Sequence, residues 1–317
     1  MDSGFWQKLK KPIMAIAPMA NVSDAAFRRM FAKYGKPDVF WTEFVSVEGL
    51  LSKGREKLLP DLWFTEAEHP IVAQIFGEKP EQFEAVGKML REMGFDGVDI
   101  NMGCPDRGVE KEGAGAALIK TPQRAKEIIR ALKRGAGPLP VSLKTRIGYT
   151  RDEIDTWLPA LLEEDLAALT MHLRTRNEMS DVPAHWELAP KIVSVRNRIA
   201  PQTLILGNGD LDSLALAHER VKESGFDGAM IGRGIFGNPL FFTGRTADTK
   251  EKLMLMAEHA ELFEKLFANI KPFDVMKKHF KAYASGFDGA KEFRIALMQT
   301  KNAAEVRRLT EDFVGKL

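Results

Sequence analysis

The chain has a single cysteine among its 317 residues, and no apolar run approaches the ~20 residues that a bilayer span requires. One thiol closes no internal disulfide and supplies no structural zinc centre by itself, so Cys104 serves either packing or chemistry. The opening Met-Asp-Ser-Gly-Phe-Trp-Gln-Lys has no secretory apolar core. The expectation is a cytoplasmic protein without a membrane partner. Low-complexity segments and short repeats are also missing. The formal net charge, +2, is too small to identify a nucleic-acid partner, because a sum over the chain hides any local patch.

What is present suits an enzyme with a large core: 44% of residues are apolar and 28% charged. Eight short β-rich runs, at 13–17, 39–42, 71–76, 97–100, 141–145, 168–172, 203–207 and 228–231, alternate with segments carrying helix-start signals. Among those signals are Asp24 before Ala25-Ala26-Phe27, and Pro80 and Pro122 at first-turn positions. Several runs are apolar at both parities, as in Ile71-Val72-Ala73-Gln74-Ile75-Phe76, which fits a parallel sheet covered by helices. Eight βα units predict an α/β fold of the (β/α)8 TIM-barrel type over residues 1–243. An open doubly wound sheet is the alternative that shares this periodicity. Past Asn238-Pro239 the pattern turns purely helical, predicting a small C-terminal all-helical domain over 244–317. There Phe273, Met276, Phe280 and Tyr283 recur at helical spacing while Lys277, Lys278 and Lys281 take another face. From Lys271 onward ten Lys or Arg stand against six Asp or Glu, which reads either as a solvated face or as a basic binding surface.

In a barrel, chemistry sits at the carboxyl ends of the strands. Here those positions hold Pro18-Met19-Ala20, Gln74, Asn101 with Cys104, Lys144 with Arg146, His172 with Arg174, Asn208-Gly209-Asp210 and Gly232-Arg233-Gly234. Polar groups at nearly every strand end imply a large polar ligand. The last two loops combine glycines, which admit a phosphate close to the backbone, with a permanent Arg233 charge. Lys144 and Arg146 share parity, so an inward Lys144 needs either a barrel carboxylate or a ligand able to carry negative charge. His172 and Gln74, each taken alone, read equally as satisfied core residues.

Met14-Ala15-Ile16-Ala17-Pro18-Met19-Ala20, Val72-Ala73-Gln74-Ile75-Phe76-Gly77, Asn101-Met102-Gly103-Cys104-Pro105, Gly113-Ala114-Gly115-Ala116, Leu143-Lys144-Thr145-Arg146, Gly207-Asn208-Gly209-Asp210 and Gly232-Arg233-Gly234 together resemble the tRNA-dihydrouridine synthases. The similarity runs in order over nearly the whole chain, including Met276-Lys277-Lys278-His279-Phe280 and Arg294. The resemblance implies an FMN-dependent oxidoreductase that reduces the C5=C6 bond of a uridine in tRNA, with NADPH as electron donor and no obligate protein partner. It places Pro18, Met19, Gln74, Lys144, His172, Asn208, Gly209, Asp210, Gly232 and Arg233 at FMN. Asn101, Cys104, Arg146, Arg174 and Arg176 fall at the substrate. Lys277, Lys278, Lys281 and Arg294, with Lys301, Arg307 and Arg308, would face tRNA phosphates. The pattern departs from many members after Thr175, where this chain continues Arg176-Asn177-Glu178-Met179-Ser180-Asp181-Val182-Pro183-Ala184-His185-Trp186.

A hydride added to C6 of uracil leaves negative charge at C5 and O4, so a proton must reach C5. A thiol of ordinary pKa near 8.5 is mostly protonated at neutral pH and acidic enough to give it, which makes Cys104 the expected general acid. The target nucleotide must leave its stack to reach a barrel rim, at a cost of a few kcal/mol that phosphate contacts offset. Two other readings stay open on the residues alone: an FMN barrel acting on a free small molecule, as dihydroorotate dehydrogenases do, and a non-catalytic tRNA-binding protein.

Overall fold

The structure, a computed structural model, describes residues 4–317. Nine strands form it: β1 Ile13–Ile16, β2 Phe40–Trp41, β3 Val45–Ser46, β4 Ile71–Phe76, β5 Gly97–Met102, β6 Val141–Gly148, β7 Ala168–Thr175, β8 Leu204–Asn208 and β9 Gly228–Ile231. All pair in parallel, in the order β1-β9-β8-β7-β6-β5-β4-β2, with β3 also on β4. A bridge between Ala15 and Val39 closes the sheet on itself. β2 and β3 are one stave with an extra residue: Trp41 pairs with Val72 and Val45 with Ile75, so four steps on one side match three on the other. The result is the eight-stave barrel expected from the sequence, not the open sheet.

The local signals act as read. Asp24 accepts the Phe27 N–H at 2.9 Å and caps the helix Ala25–Tyr34. Pro80 and Pro122 open the helices Pro80–Glu92 and Pro122–Ala136, where a missing N–H costs nothing.

Inside the barrel, Ile13, Ala15, Ala17, Val39, Trp41, Val72, Ala168, Leu206 and Met230 form one apolar cluster, joined by Trp6 from the short helix Gly4–Lys8. Further along the strands the same inward parity carries Gln74, Asp99, Asn101, Ser142, Lys144, His172 and Asn208. The interior therefore changes from apolar to polar toward the strands' carboxyl ends.

Beyond residue 243 the helices Thr249–Phe267, Lys277–Tyr283, Ala290–Gln299 and Ala303–Val314 share a core of Met256, Phe263, Phe267, Met276, Phe280, Tyr283, Leu297 and Val306. That core continues into Ala25, Ala26 and Met30 of the first barrel helix, so the tail is docked by burial. Each buried large side chain contributes about 1.5–3 kcal/mol. Trp63 stacks on Phe267 with centroids 6.0 Å apart, and Lys33 pairs with Glu258 at 2.7 Å. Among the described residues no helix is long and apolar enough to cross a membrane.

Arg28 holds the first helix to this junction. Its Nε donates to Glu68 Oε1 at 2.8 Å, Nη1 donates to Ser23 O at 2.8 Å, and Nη2 donates to Trp63 O; both charged side chains are wholly buried. Arg28→Met would leave Glu68 Oε1 without its partner while Oε2 keeps Thr65 and, at 3.8 Å, Arg29, and is expected to cost about 1–3 kcal/mol by urea denaturation. A loss under about 1 kcal/mol would place this pair with surface pairs instead.

Candidate active site

Strand register assembles the site. It sets Gln74 beside Asp99 and Asp99 beside Ser142, and higher up it aligns Arg146, His172 and Asn208 across β6, β7 and β8. The lower row is a closed hydrogen-bond chain. Asn101 Nδ2 donates to Gln74 Oε1 at 3.0 Å, Gln74 Nε2 donates to Asp99 Oδ2 at 2.7 Å, and Ser142 Oγ donates to Asp99 Oδ1 at 2.5 Å. Burial pushes the Asp99 carboxyl up to about 6, against the pull of these donors.

Above that row opens a cleft of about 600 Å³, a volume ordinary for a cofactor or drug-sized ligand. Pro18, Met19, Lys144, His172, Asn208, Gly209, Asp210, Gly232 and Arg233 line it, as do Arg174 and Ser180. Lys144 has no carboxylate within ion-pair reach. Burial first, and then Arg146, bring its ammonium down to about 8, while Asp99 and Cys104 act from a distance in the other direction. Of the two readings open for Lys144, the ion pair with a barrel carboxylate is not formed among the described residues. His172 Nε2 lies 3.2 Å from Arg174 Nη1, which can only donate, so Nε2 accepts and the ring is neutral. Burial and four surrounding cations hold its pKa well below the usual histidine value.

The β8 and β9 loops form the opposite wall. Gly209 sits at φ 132°, where an added Cβ would come 2.7 Å from Ala184 Cβ. At Gly232 an added Cβ would meet nothing nearer than Ala17 Cβ at 3.8 Å and Met19 Sδ at 3.9 Å; it would project into the cleft. No neighbouring atom fills the place of that Cβ, which leaves room for a ligand seated against the backbone. The amides of Arg233 and Gly234 open the short helix Arg233–Ile235 and make no hydrogen bond within the chain. The Arg233 side chain is largely exposed, its Nη2 3.5 Å from Asp210 Oδ1. Backbone donors, a mobile-length cation and two glycines make this wall suited to a phosphate.

Cys104 stands on the adjoining rim, partly exposed and outside the cleft wall itself. Asn101 Oδ1 accepts from the amides of Gly103 and Cys104 at 3.1 and 2.9 Å, fixing the turn. Cys104 O accepts from Ala116 N at 3.0 Å, and Gly115, at φ 60°, lies so close that a Cβ there would sit 2.8 Å from that oxygen. The two glycine-rich stretches of the sequence are therefore one structural unit. Burial raises the thiol above the ordinary cysteine value, which keeps it protonated at neutral pH.

The structure reassigns several expected contacts. Gln74 and Asn101 do not line the cleft; each is bound within the buried chain described above. Arg146, expected at the substrate, donates from Nε to Gly103 O at 2.8 Å and from Nη1 to the carbonyls of Thr175 and Met179 at 2.9 and 3.1 Å. Arg174 donates to Val182 O at 2.7 Å and pairs with Asp210. Arg176 is held by Glu110 and reaches Pro105 O at 3.2 Å. Arg146 and Arg176 tie the Cys104 loop to the segment 175–184, and Arg174 ties that segment to the β8 loop. Asp210, in the cleft wall, accepts from Arg174 and from the Ala184 N–H. In the tail, Lys277 pairs with Asp274, Arg307 with Glu261, and Arg294 donates to Ala284 O, whereas the side chains of Lys278, Lys281, Lys301 and Arg308 are exposed and form no ion pair among the described residues. The sequence reading assigned no role to Asp99, Gly115 or Glu110. Among the described residues no group of three or more His, Cys, Asp or Glu side chains converges to hold a metal ion.

A family model described as "Dihydrouridine synthase (Dus)" matches residues 15–316. A "Probable tRNA-dihydrouridine synthase" of Staphylococcus aureus (strain Mu50) is 45% identical over 322 residues, covering 100% of this chain and 98% of that protein. "Probable tRNA-dihydrouridine synthase 2" of Bacillus subtilis (strain 168) is 44% identical over 321 residues, with the same coverage. Morphinone reductase in complex with tetrahydroNAD superimposes with a TM-score of 0.52 at 15% identity, covering 76% of this chain and 87% of that one, a likeness of fold alone. The chain belongs to the dihydrouridine synthase family, a class of flavin-dependent oxidoreductases.

Because Cys104 is the only thiol, its titration can be read without ambiguity. Alkylation by iodoacetamide follows the thiolate, so its rate is expected to inflect above the pH of a free cysteine. An inflection below that pH would mean that the neighbouring cations, not burial, control this sulfur.

Proposed function

We propose that this chain is a cytoplasmic tRNA-dihydrouridine synthase that uses FMN and NADPH to reduce the C5=C6 bond of a tRNA uridine. The reading rests above all on Cys104: a protonated thiol, held on the rim of a phosphate-suited cleft in a barrel whose full-length relatives carry that name. Lys144, His172, Asn208, Gly209, Gly232 and Arg233, with Pro18 and Met19, fit FMN. They combine an unpaired buried cation, a neutral histidine, free amides and a glycine whose missing Cβ leaves room. When bound and reduced by NADPH, FMN supplies the hydride that enters uracil at C6.

The chain's part is the proton. Cys104 gives its S–H proton to C5 and becomes a thiolate, which the charges of Lys144 and Arg146 favour, and solvent then restores the thiol. Asn101 and Gly115 act through Cys104 by fixing the turn that carries it. Lys144 faces the cleft with a desolvated positive charge, preorganised for an electron-rich ligand. The division of labour proposed is a catalytic barrel over residues 1–243 and an RNA-reading tail over 244–317. In that tail Lys278, Lys281, Lys301 and Arg308 are the cations available to phosphates, each contributing to a salt-dependent affinity.

Cys104→Ala is expected to purify with the visible flavin band intact while losing at least about 100-fold in uridine reduction, measured as dihydrouridine in tRNA. Turnover equal to wild type would remove the sulfur from the mechanism, and turnover of orotate in place of tRNA would redirect the reading to a small-molecule reductase. Lys278→Ala combined with Lys281→Ala should weaken tRNA binding at low salt and flatten its salt dependence by about two units of slope. An unchanged slope would place the RNA on another surface.

A further inference from the structure

Lys271 follows the first tail helix, Thr249–Phe267, and its ammonium is turned away from solvent toward the barrel. It lies 2.9 Å from Glu43 Oε2 and 2.7 Å from Asp61 Oδ1, and 5.0 Å above the Phe267 ring. Glu43 follows β2 at the carboxyl end of the barrel and is almost wholly buried. Its second oxygen, Oε1, accepts the backbone N–H of Asn21. Asn21 ends the loop 18–21 in the left-handed region, at φ 54°, which asparagine enters more readily than other non-glycine residues. The same loop contributes Pro18 and Met19 to the cleft wall, and Met19 faces Gly232. A continuous chain of contacts thus runs from a tail lysine, through one carboxylate, to the loop that walls the cleft.

We infer that Lys271 is a positioning residue: by holding Glu43 it fixes the loop 18–21, and so sets cofactor affinity from outside the cleft. The inference rests on the flavin reading given above. Without Lys271, Glu43 would face Asp24 and Asp61 in a dry setting with no cation bound to it. Like charges that close do not remain ionised together. Glu43 would then take up a proton or swing toward solvent, and either change weakens its hold on the Asn21 N–H. Asp24 already has one carboxylate oxygen, Oδ2, buried without a partner, so removal of the ammonium would leave a cluster of three acids with fewer donors than acceptors filled. The residue acts through Glu43 and touches neither cofactor nor substrate.

The test is the release of flavin from purified holoprotein on dilution, followed by recovery of flavin fluorescence. Lys271→Met should raise flavin dissociation on the order of tenfold, while Lys271→Arg, which keeps the charge, should stay near wild type. Combining Lys271→Met with Glu43→Gln should weaken flavin no further than Lys271→Met alone, since both changes cut one chain of contacts. Glu258→Gln separates positioning from general loosening of the tail: it cuts the contacts to Lys33 and Tyr34, away from the loop 18–21. It should lower thermal stability and leave flavin dissociation unchanged. Flavin retention by Lys271→Met equal to wild type, or equal flavin loss in Glu258→Gln, would overturn the inference while the flavin site stands. A wild-type protein that binds no flavin would overturn the underlying reading as well.

Discussion

The barrel turns Lys144 inward midway along β6 and, among the described residues, gives it no carboxylate within ion-pair reach. A parallel strand buried on both sides has only one way to carry a charged residue, which is toward the open end of the barrel, and the apolar plug beneath closes every other route. Desolvation there costs the ammonium part of its proton affinity, so the fold spends stability on a cation that nothing within the chain neutralises. Around that constraint the other cleft residues make sense. His172 is kept neutral so that it adds no further positive charge, and Arg174 and Asp210 neutralise each other. Asp99, the nearest buried acid, is bound by Gln74 and Ser142 and does not close on the lysine.

The thiol belongs to a second, separately built unit. Its loop is fastened from four sides, by Asn101, Ala116, Arg146 and Arg176, none of which depends on the cleft being filled. Rigid support of one donor on the rim beside an open cation-lined cleft is the arrangement that proton delivery to a positioned base requires. The tail is docked through the helix that follows β1, whereas Cys104 follows β5, so the two occupy different parts of the barrel's circumference.

Much of this was legible in the sequence, for identifiable reasons. The eight staves show because buried parallel strands are apolar at both parities, and the helix starts show because Asp24, Pro80 and Pro122 are local signals. The cleft residues show because glycine pairs and charges at strand ends are out of place in a core. The arginines' partners within the chain were not legible, because strand parity says which way a side chain leaves the backbone but not which acceptor it meets. Arg146, Arg174 and Arg176 meet carbonyls and carboxylates that lie 29 to 71 residues away, or that are supplied by the irregular segment 175–184. Glu43 and Lys271, 228 residues apart, could not be paired from sequence at all.

The central claim is that the unpaired Lys144 charge is preorganised for a cofactor that becomes more negative when reduced. The reduction potential of bound flavin in wild type and in Lys144→Met tests it most directly. The account predicts a more negative potential in the variant, because the reduced form loses the cation that favours it. An unchanged potential with flavin still bound would contradict it.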